Sequence, residues 1–312
     1  SEGKGLGNQF LDDLRQADLF IHIVDVSGTT DQEGREVSDA SYDPCQDVKM
    51  LENELDAWYL GILKKVWRTF SRSIQGRDVN FFDAVAKQFS GLKINENVVK
   101  DAIRKTCLDP EKVVQWKDED IRNFAHELRH IGKPMIIAAN KVDMAKGKEN
   151  YEKLKQAYPD YVILPCSADS ELALKEAAKH ELIDYLPGNK DFEIKKDLNE
   201  KQKAALDVIK ENVLTKFEYG TGVQEILDYA VFKLLKYLAI FPAGVNKLAD
   251  KDGNILPDCF LLPEGSSALD FAYSLHSDIG DGFVKAIDAR TGRAVGKEYV
   301  VKHRDALEIA TR

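Results

Sequence analysis

"IIAANKVD", residues 136–143, is an apolar run that closes on a polar string, Asn140-Lys141-Val142-Asp143. A short uninterrupted apolar run of this kind is the pattern of a strand buried on both faces. Just before it, "DEDIRNFAHELRHIGKP" (118–134) sets Ile121, Phe124, Leu128 and Ile131 on one helical face and stops at Gly132 and Pro134, as helices do. Helix, short turn, buried strand is the repeating unit of an open parallel sheet. "ADLFIHIVDVSG" (17–28) and "YVILPCSAD" (161–169) have the same form and predict two more buried parallel strands. The expected class is α/β, a doubly wound parallel sheet with helical insertions.

Between the first two strands the period changes. Val48, Leu51, Leu55, Trp58 and Ile62 step by threes and fours, and Leu63, Val66 and Phe70 extend the face. This predicts one long amphipathic helix, either part of a hairpin packed on itself or an arm for a partner. Helical patterns follow at 81–92 and 95–106, so 46–115 reads as one helical insertion. Ahead of the first strand, "NQFLDDLRQ" aligns Phe10, Leu11 and Leu14 on a helical face.

Composition limits the function classes. The 312 residues are 31% charged and 44% hydrophobic, with a net charge of −9. That is ordinary for a water-exposed globular protein and argues against nucleic-acid binding over the whole surface, though not against a basic patch. Cys45, Cys107, Cys166 and Cys259 lie far apart without a CxxC pair, which fits a reducing compartment, the cytoplasm, better than a disulfide framework or zinc site. No apolar run approaches a membrane span, and there is no signal peptide. The chain begins at Ser1 inside a glycine-rich run, which reads as a piece whose start is missing.

Ligands of open parallel sheets bind beyond the carboxyl ends of the strands, where Asn140 to Asp143 are expected. A carboxylate at Asp143 matches guanine, whose N1–H and 2-amino group both donate; adenine offers no such pair. Each charge-assisted bond is worth roughly 1.5–3 kcal/mol. Lys141 can lay its aliphatic stem along the base, and Asn140 can tie the loop to its neighbours. Ser167 and Ala168 end the next strand, and backbone N–H groups of such a turn can donate to guanine O6. His22 reads as a packed mid-strand residue. His126 and His130 are spaced i, i+4, but without a third ligand they read as a solvated helix face rather than a metal site.

The order strand, N-K-x-D, helix, strand, S-A resembles translation-factor-class GTPases. The opening "EGKGLGNQFLDDLRQADLFIHIVDVSG" and the helical insertion before "GKPMIIAANKVD" are similar to Obg-related, YchF-type proteins, the archaeal-type branch above all. "GTGVQEILDYAVFKLL" (220–235) looks like the closing helix of such a G domain, which makes 170–219 a further helical insertion. The resemblance implies a partial P-loop-NTPase-type sheet: residues 1–45 as its first part, 116–236 as its second. It implies GTP as ligand, since relatives that replace the signature Asp prefer ATP and this chain keeps Asp143. It also implies Mg²⁺, with its ligands and the catalytic group in a segment upstream.

One departure weighs against activity of these residues alone. A phosphate loop needs G-x-x-x-x-G-K-[ST]. Gly-Lys occurs at 3–4, 132–133, 147–148 and 296–297, never followed by Ser or Thr, and Gly3, Gly5 and Gly7 follow no strand. Asp25-Val26-Ser27-Gly28 matches D-x-x-G at a strand end, but the family pattern puts that motif one strand earlier, so no metal ligand is assigned.

From Pro242 onward short strands alternate with Gly and Asp turns around one helix, on which Leu269, Ala272, Tyr273 and His276 share a side and Ser267 is the cap. This predicts a ubiquitin-like β-grasp over 237–312. "EGSSALDFAYSLHSDIGDGFVKAID" (264–288) resembles a TGS domain. Residues 284–312 hold seven Lys/Arg against four Asp/Glu; Lys285, Arg290, Arg293 and Lys297 are candidate contacts to ribosomal or transfer RNA. Two functions compete: a GTPase switch, complete only with a phosphate loop and associated with the ribosome, and a nucleotide-independent adaptor for RNA or the ribosome; an ATP-hydrolysing relative is the further alternative.

Overall fold

The structure, a computed structural model, describes residues 14–76, 79–244, 248, 253–256 and 258–312. Phe10 and Leu11, with the glycines at 3, 5 and 7, lie outside these residues; Leu14–Gln16 forms a short 3₁₀ turn. The chain divides into two compact units, one ending at Leu227 and one running from Asp228 to Arg312.

In the first unit β1 (Phe20–Asp25) leads through a loop into α1 (Cys45–Gln75), α2 (Phe81–Gln88), α3 (Glu96–Thr106) and α4 (Asp118–Gly132). Next come β2 (Met135–Asn140), α5 (Gly147–Ala157), β3 (Val162–Cys166) and α6 (Ala168–Lys179). The sheet order is β1-β2-β3, all parallel. The registers put Asp25, Asn140 and Cys166 level at the carboxyl ends.

Only β2 is enclosed as the sequence leads one to expect: Met135 to Ala139 are all buried. β1 lies at the sheet edge, with Ile21 36% and Ile23 66% exposed, and β3 is half-buried. The apolar composition of these strands was a sound strand signal but said nothing about which strand has neighbours on both sides. His22, mid-strand on β1, is half-buried. Its Nδ1 has no hydrogen-bond partner, and burial pushes its pKa down to about 4.

The helices between β1 and β2 close on themselves. Tyr59 and Leu63 of α1 join Val85, Phe89, Val99, Ile103, Phe124 and Leu128 in one core. Caps fix their starts: the side chains of Asn80 and Asn95 accept first-turn N–H groups of α2 and α3. A charged cluster fastens α1 to α4 and to the start of β3. Arg129 of α4 is 1% exposed; it donates to Asp56 Oδ1 at 2.6 Å and to the Tyr161 hydroxyl at 3.2 Å. Tyr161 donates in turn to Glu52. His126 is partly exposed but not free, since Asp56 lies 2.8 Å from its Nδ1; that bond holds its pKa above the usual histidine range. His130 is half-buried, its ring edge-on to Tyr161.

After α6 the chain forms a small ribbon, β4 (Ile183–Asp184) with β5 (Glu193–Ile194), then α7 (Glu200–Ile209). The segment 170–219 is thus not purely helical. A Pro187-Gly188 corner, with Gly188 at φ +90, allows the reversal between the ribbon strands. α8 (Val223–Asp228) closes the first unit and continues as a wider turn over Tyr229–Leu234.

The second unit holds β6 (Tyr237–Pro242), β7 (Phe260–Pro263), α9 (Ala268–Leu275), α10 (Ser277–Asp281), β8 (Phe283–Asp288), β9 (Ala294–Val295) and β10 (Ala306–Thr311). Its sheet order, β7-β6-β10-β8-β9, carries a parallel β10–β6 pair between antiparallel ones. This is a β-grasp around Ile240, Leu262, Phe271, Val301 and Leu307. Ser267 and Asp270 form a reciprocal cap on α9. The buried face is Ala268, Phe271 and Ala272, while Tyr273 and His276 are exposed. Helical phase counted through His276 fails because that residue has left the helix at φ −167, and its ring accepts the Asp278 N–H that starts α10. By sequence the second unit starts at 237. In the structure it gains residues 228–236, whose wider turn packs on β6. Among the described residues no helix is long and apolar enough to cross a membrane.

Candidate functional site

The five residues singled out for base recognition meet where β2 and β3 end. Asn140 Oδ1 accepts the Ala168 N–H at 3.0 Å and lies 3.7 Å from Cys166 Sγ. Val142 N–H donates to the Cys166 carbonyl oxygen at 3.3 Å, a second link between the loops. Burial pushes the Cys166 thiol up to about 12, helped by the nearby Asp143 carboxylate. Asp143 itself is exposed. Lys141 takes the left-handed conformation, φ 62, an uncommon choice for a lysine. Its Nζ donates to Asp25 Oδ2 at 2.7 Å.

Asp25 is heavily engaged. Oδ1 accepts from the Ser27 N–H and hydroxyl, and Oδ2 accepts from the Thr30 hydroxyl as well as from Lys141. Burial raises this carboxyl, but the bonds from Lys141, Ser27 and Thr30 outweigh it and hold its pKa below the usual range. A divalent cation would have to displace an ammonium group and two hydroxyls. Among the described residues no three His, Cys, Asp or Glu side chains are grouped to hold a metal. These residues do not fit Mg²⁺.

The expected donors to guanine O6 are already in use. Ser167 N–H donates to the Thr221 carbonyl oxygen at 2.9 Å, and Ala168 N–H to Asn140. An O6 atom would share the Ala168 donor with Asn140 or displace it. The loop 141–147 is drawn tight: Met144 N–H donates to the Lys141 carbonyl and Gly147 N–H to Met144. A Cβ on Gly147 would stand 2.6 Å from the carbonyl oxygens of Lys141 and Val142. Asn150, buried in α5, donates from Nδ2 to the Val26 carbonyl at 2.9 Å.

Sequence reading missed Asn150, Glu171 and Thr221, all buried at this end of the sheet. Only Thr221 carried a signal, a Thr between two glycines just before a helix. The candidate RNA contacts belong to the second unit, all four exposed. Arg290 is committed there to Asp305, at 2.9 Å, a carboxylate only 3% exposed.

Residues 138–244 match the family model described as "Obg-like GTPase YGR210-like, G4 motif-containing domain", and residues 248–311 match the TGS domain. An uncharacterized GTP-binding protein of Methanocaldococcus jannaschii is 46% identical over 99% of this chain and 77% of its own length. The crystal structure of a GTP-binding protein from Pyrococcus horikoshii superposes with a TM-score of 0.72 at 40% identity, covering 97% of this chain and 81% of that one. The ribosome-binding ATPase YchF of Bacillus subtilis is 22% identical over 98% of this chain and 76% of its own.

Proposed function

The chain belongs to the Obg-related, YchF-type GTP-binding proteins, and from that premise we propose that residues 140–143 and 167–168 hold the guanine base of GTP. One arrangement carries the reading. The Asn140–Ala168 bond at 3.0 Å sets the two loops side by side and leaves the Asp143 carboxylate exposed next to them. Asp143 accepts from guanine N1–H and the 2-amino group. Ala168 N–H, shared with Asn140 Oδ1, serves O6, and the Lys141 stem lies along the base while its ammonium keeps Asp25.

Phosphates need a cradle of backbone donors, and the described residues supply none. We assign that half of the site to sequence upstream, contributing a strand to the open edge of β1. The apolar groove beside that edge, about 540 Å³ and lined by Phe20, Ile21, Ile23, Met50, Leu51 and Leu55, supports the assignment. These 312 residues alone would then bind GTP weakly and not hydrolyse it; turnover belongs to the full-length protein. The TGS unit would report the nucleotide state to the ribosome from the cytoplasm, using Lys285, Arg293 and Lys297. What the Bacillus relative is named for supports that partner. Arg290 drops out of this set, because it is the counter-charge of Asp305.

The test is Asp143→Asn in the full-length protein. The amide places a donor opposite N1–H, so GTP binding falls, and xanthine, with a carbonyl at position 2, gains an acceptor for that amide. Preference should swing from GTP toward XTP by about tenfold or more, read by calorimetry. A variant that still prefers GTP would refute the base-reading role of Asp143.

A further inference from the structure

Beneath the Ser167–Ala168 turn lies a buried polar cluster that base recognition leaves unexplained. Glu171, in the first turn of α6, is 5% exposed and accepts through Oε2 from two hydroxyls, Thr221 at 2.6 Å and Tyr185 at 2.8 Å. Thr221 is 1% exposed, and its carbonyl oxygen is the acceptor for Ser167 N–H. The Ser167 hydroxyl is satisfied within the turn by Ser170 at 2.8 Å. Gly222, at φ +77, presses against the end of β3; a Cβ there would stand 2.0 Å from the Pro165 carbonyl oxygen and 3.1 Å from Cys166 Cα. Three segments distant in sequence thus converge under one turn: the start of α6, the β4 ribbon and the Gly220–Gly222 strap.

We propose that Glu171 and Thr221 are positioning residues for guanine recognition, holding the turn at the height where Ala168 N–H meets O6. The inference rests on the base-reading role proposed above. A backbone donor has no side-chain torsions with which to correct its aim. Its direction comes wholly from what grips the peptide, and a hydrogen bond weakens steeply once it stretches a few tenths of an ångström or bends. Asn140 grips Ala168 from the β2 side, and the Thr221 carbonyl grips Ser167 from the other. Thr221 is in turn held by its hydroxyl bond to Glu171. A buried carboxylate needs donors, and here both come from outside α6. Tyr185 therefore ties the segment between α6 and α8 to the same turn.

Two nucleotide analogues separate the contacts. 6-Thioguanosine triphosphate keeps N1–H and the 2-amino group but puts a weakly accepting sulfur in place of O6. Inosine triphosphate keeps O6 but lacks the 2-amino group that Asp143 reads. In the full-length protein, Thr221→Val and the isosteric Glu171→Gln should each cut the preference for GTP over the thio analogue about fivefold, the worth of one neutral hydrogen bond. The preference for GTP over ITP should stay within about twofold of wild type, as for independent contacts. Thr221→Ser, which keeps the hydroxyl, should restore the first ratio. Glu171→Gln carries the test if Thr221→Val does not fold. Folded variants with both ratios unchanged overturn the proposal, and so do variants in which both fall together, since that is general loosening. A wild-type protein preferring GTP over neither analogue overturns the base-reading role, and this inference with it.

Discussion

β1 and β2 run side by side in register from Phe20 and Met135 to Asp25 and Asn140, yet their surroundings differ. Every residue of β2 up to Ala139 is buried, and the loop after it is tied by Asn140, Lys141 and Val142 to segments on both sides. Among the described residues β1 pairs along one edge only, and Ile21 and Ile23 lie exposed beside an apolar groove. Unpaired strand edges with apolar side chains are a liability that folded proteins cover. The difference teaches that the two margins do different jobs. The β2–β3 end is closed by its own hydrogen bonds, while the β1 margin is where we propose that a further strand joins.

Gly222→Ala should do the most damage to the closed end. The new methyl group meets the Pro165 carbonyl oxygen at a residue already at φ +77, so strain and overpacking add. A loss of about 3 kcal/mol is expected, measured by urea unfolding. A loss under about 1 kcal/mol would show that the strap yields and the end is not rigid.

Asp25 bridges the two margins and should show it in acid. Its carboxyl, lowered in the folded state, titrates near 4 when unfolded. Its contribution is therefore complete above about pH 4 and is lost as pH falls through the lower folded value. Asp25→Asn should cost on the order of 1–2 kcal/mol at pH 7, as for a charge-assisted bond. The gap to wild type should narrow as pH falls below the unfolded value and close once the folded carboxyl is protonated as well. A gap independent of pH would mean that the Lys141 pairing adds nothing.

Ile23→Ala should have the smallest effect. At 66% exposure, truncation should shift the unfolding free energy of these 312 residues by less than about 0.5 kcal/mol. In the full-length protein the same change should cost about 2 kcal/mol or more, as for a covered isoleucine. Equal costs in both would break the assignment of the β1 edge as a joining surface.

Much of this was legible in the amino-acid order. β2 and its preceding helix could be read because an apolar run after a capped amphipathic helix is a local pattern. The family followed from Asn140, Lys141 and Asp143 standing at the end of that strand. What stayed hidden depends on contacts between distant segments. The same apolar letters write β1 and β2, and only the sheet order separates edge from centre. Glu171 looks like any first-turn acid of a helix until Thr221, fifty residues on, donates to it. The Ala168 donor looked vacant because its bond to Asn140 Oδ1 spans 28 positions. On α9 the inward phase slipped because the helix ends before His276.

Arg129 has a consequence for inheritance. Its guanidinium is enclosed on α4, while the carboxylates that neutralise it, Asp56 and Glu52, belong to α1 inside the inserted segment 46–115. Inserted segments are usually regarded as removable, to be lost or exchanged between lineages without disturbing the host. Excising this one would strand a positive charge in the interior, where an unpaired ion costs several kcal/mol. A descendant that shed the insertion would have to replace position 129 in the same step, so host and insert are bound to travel together.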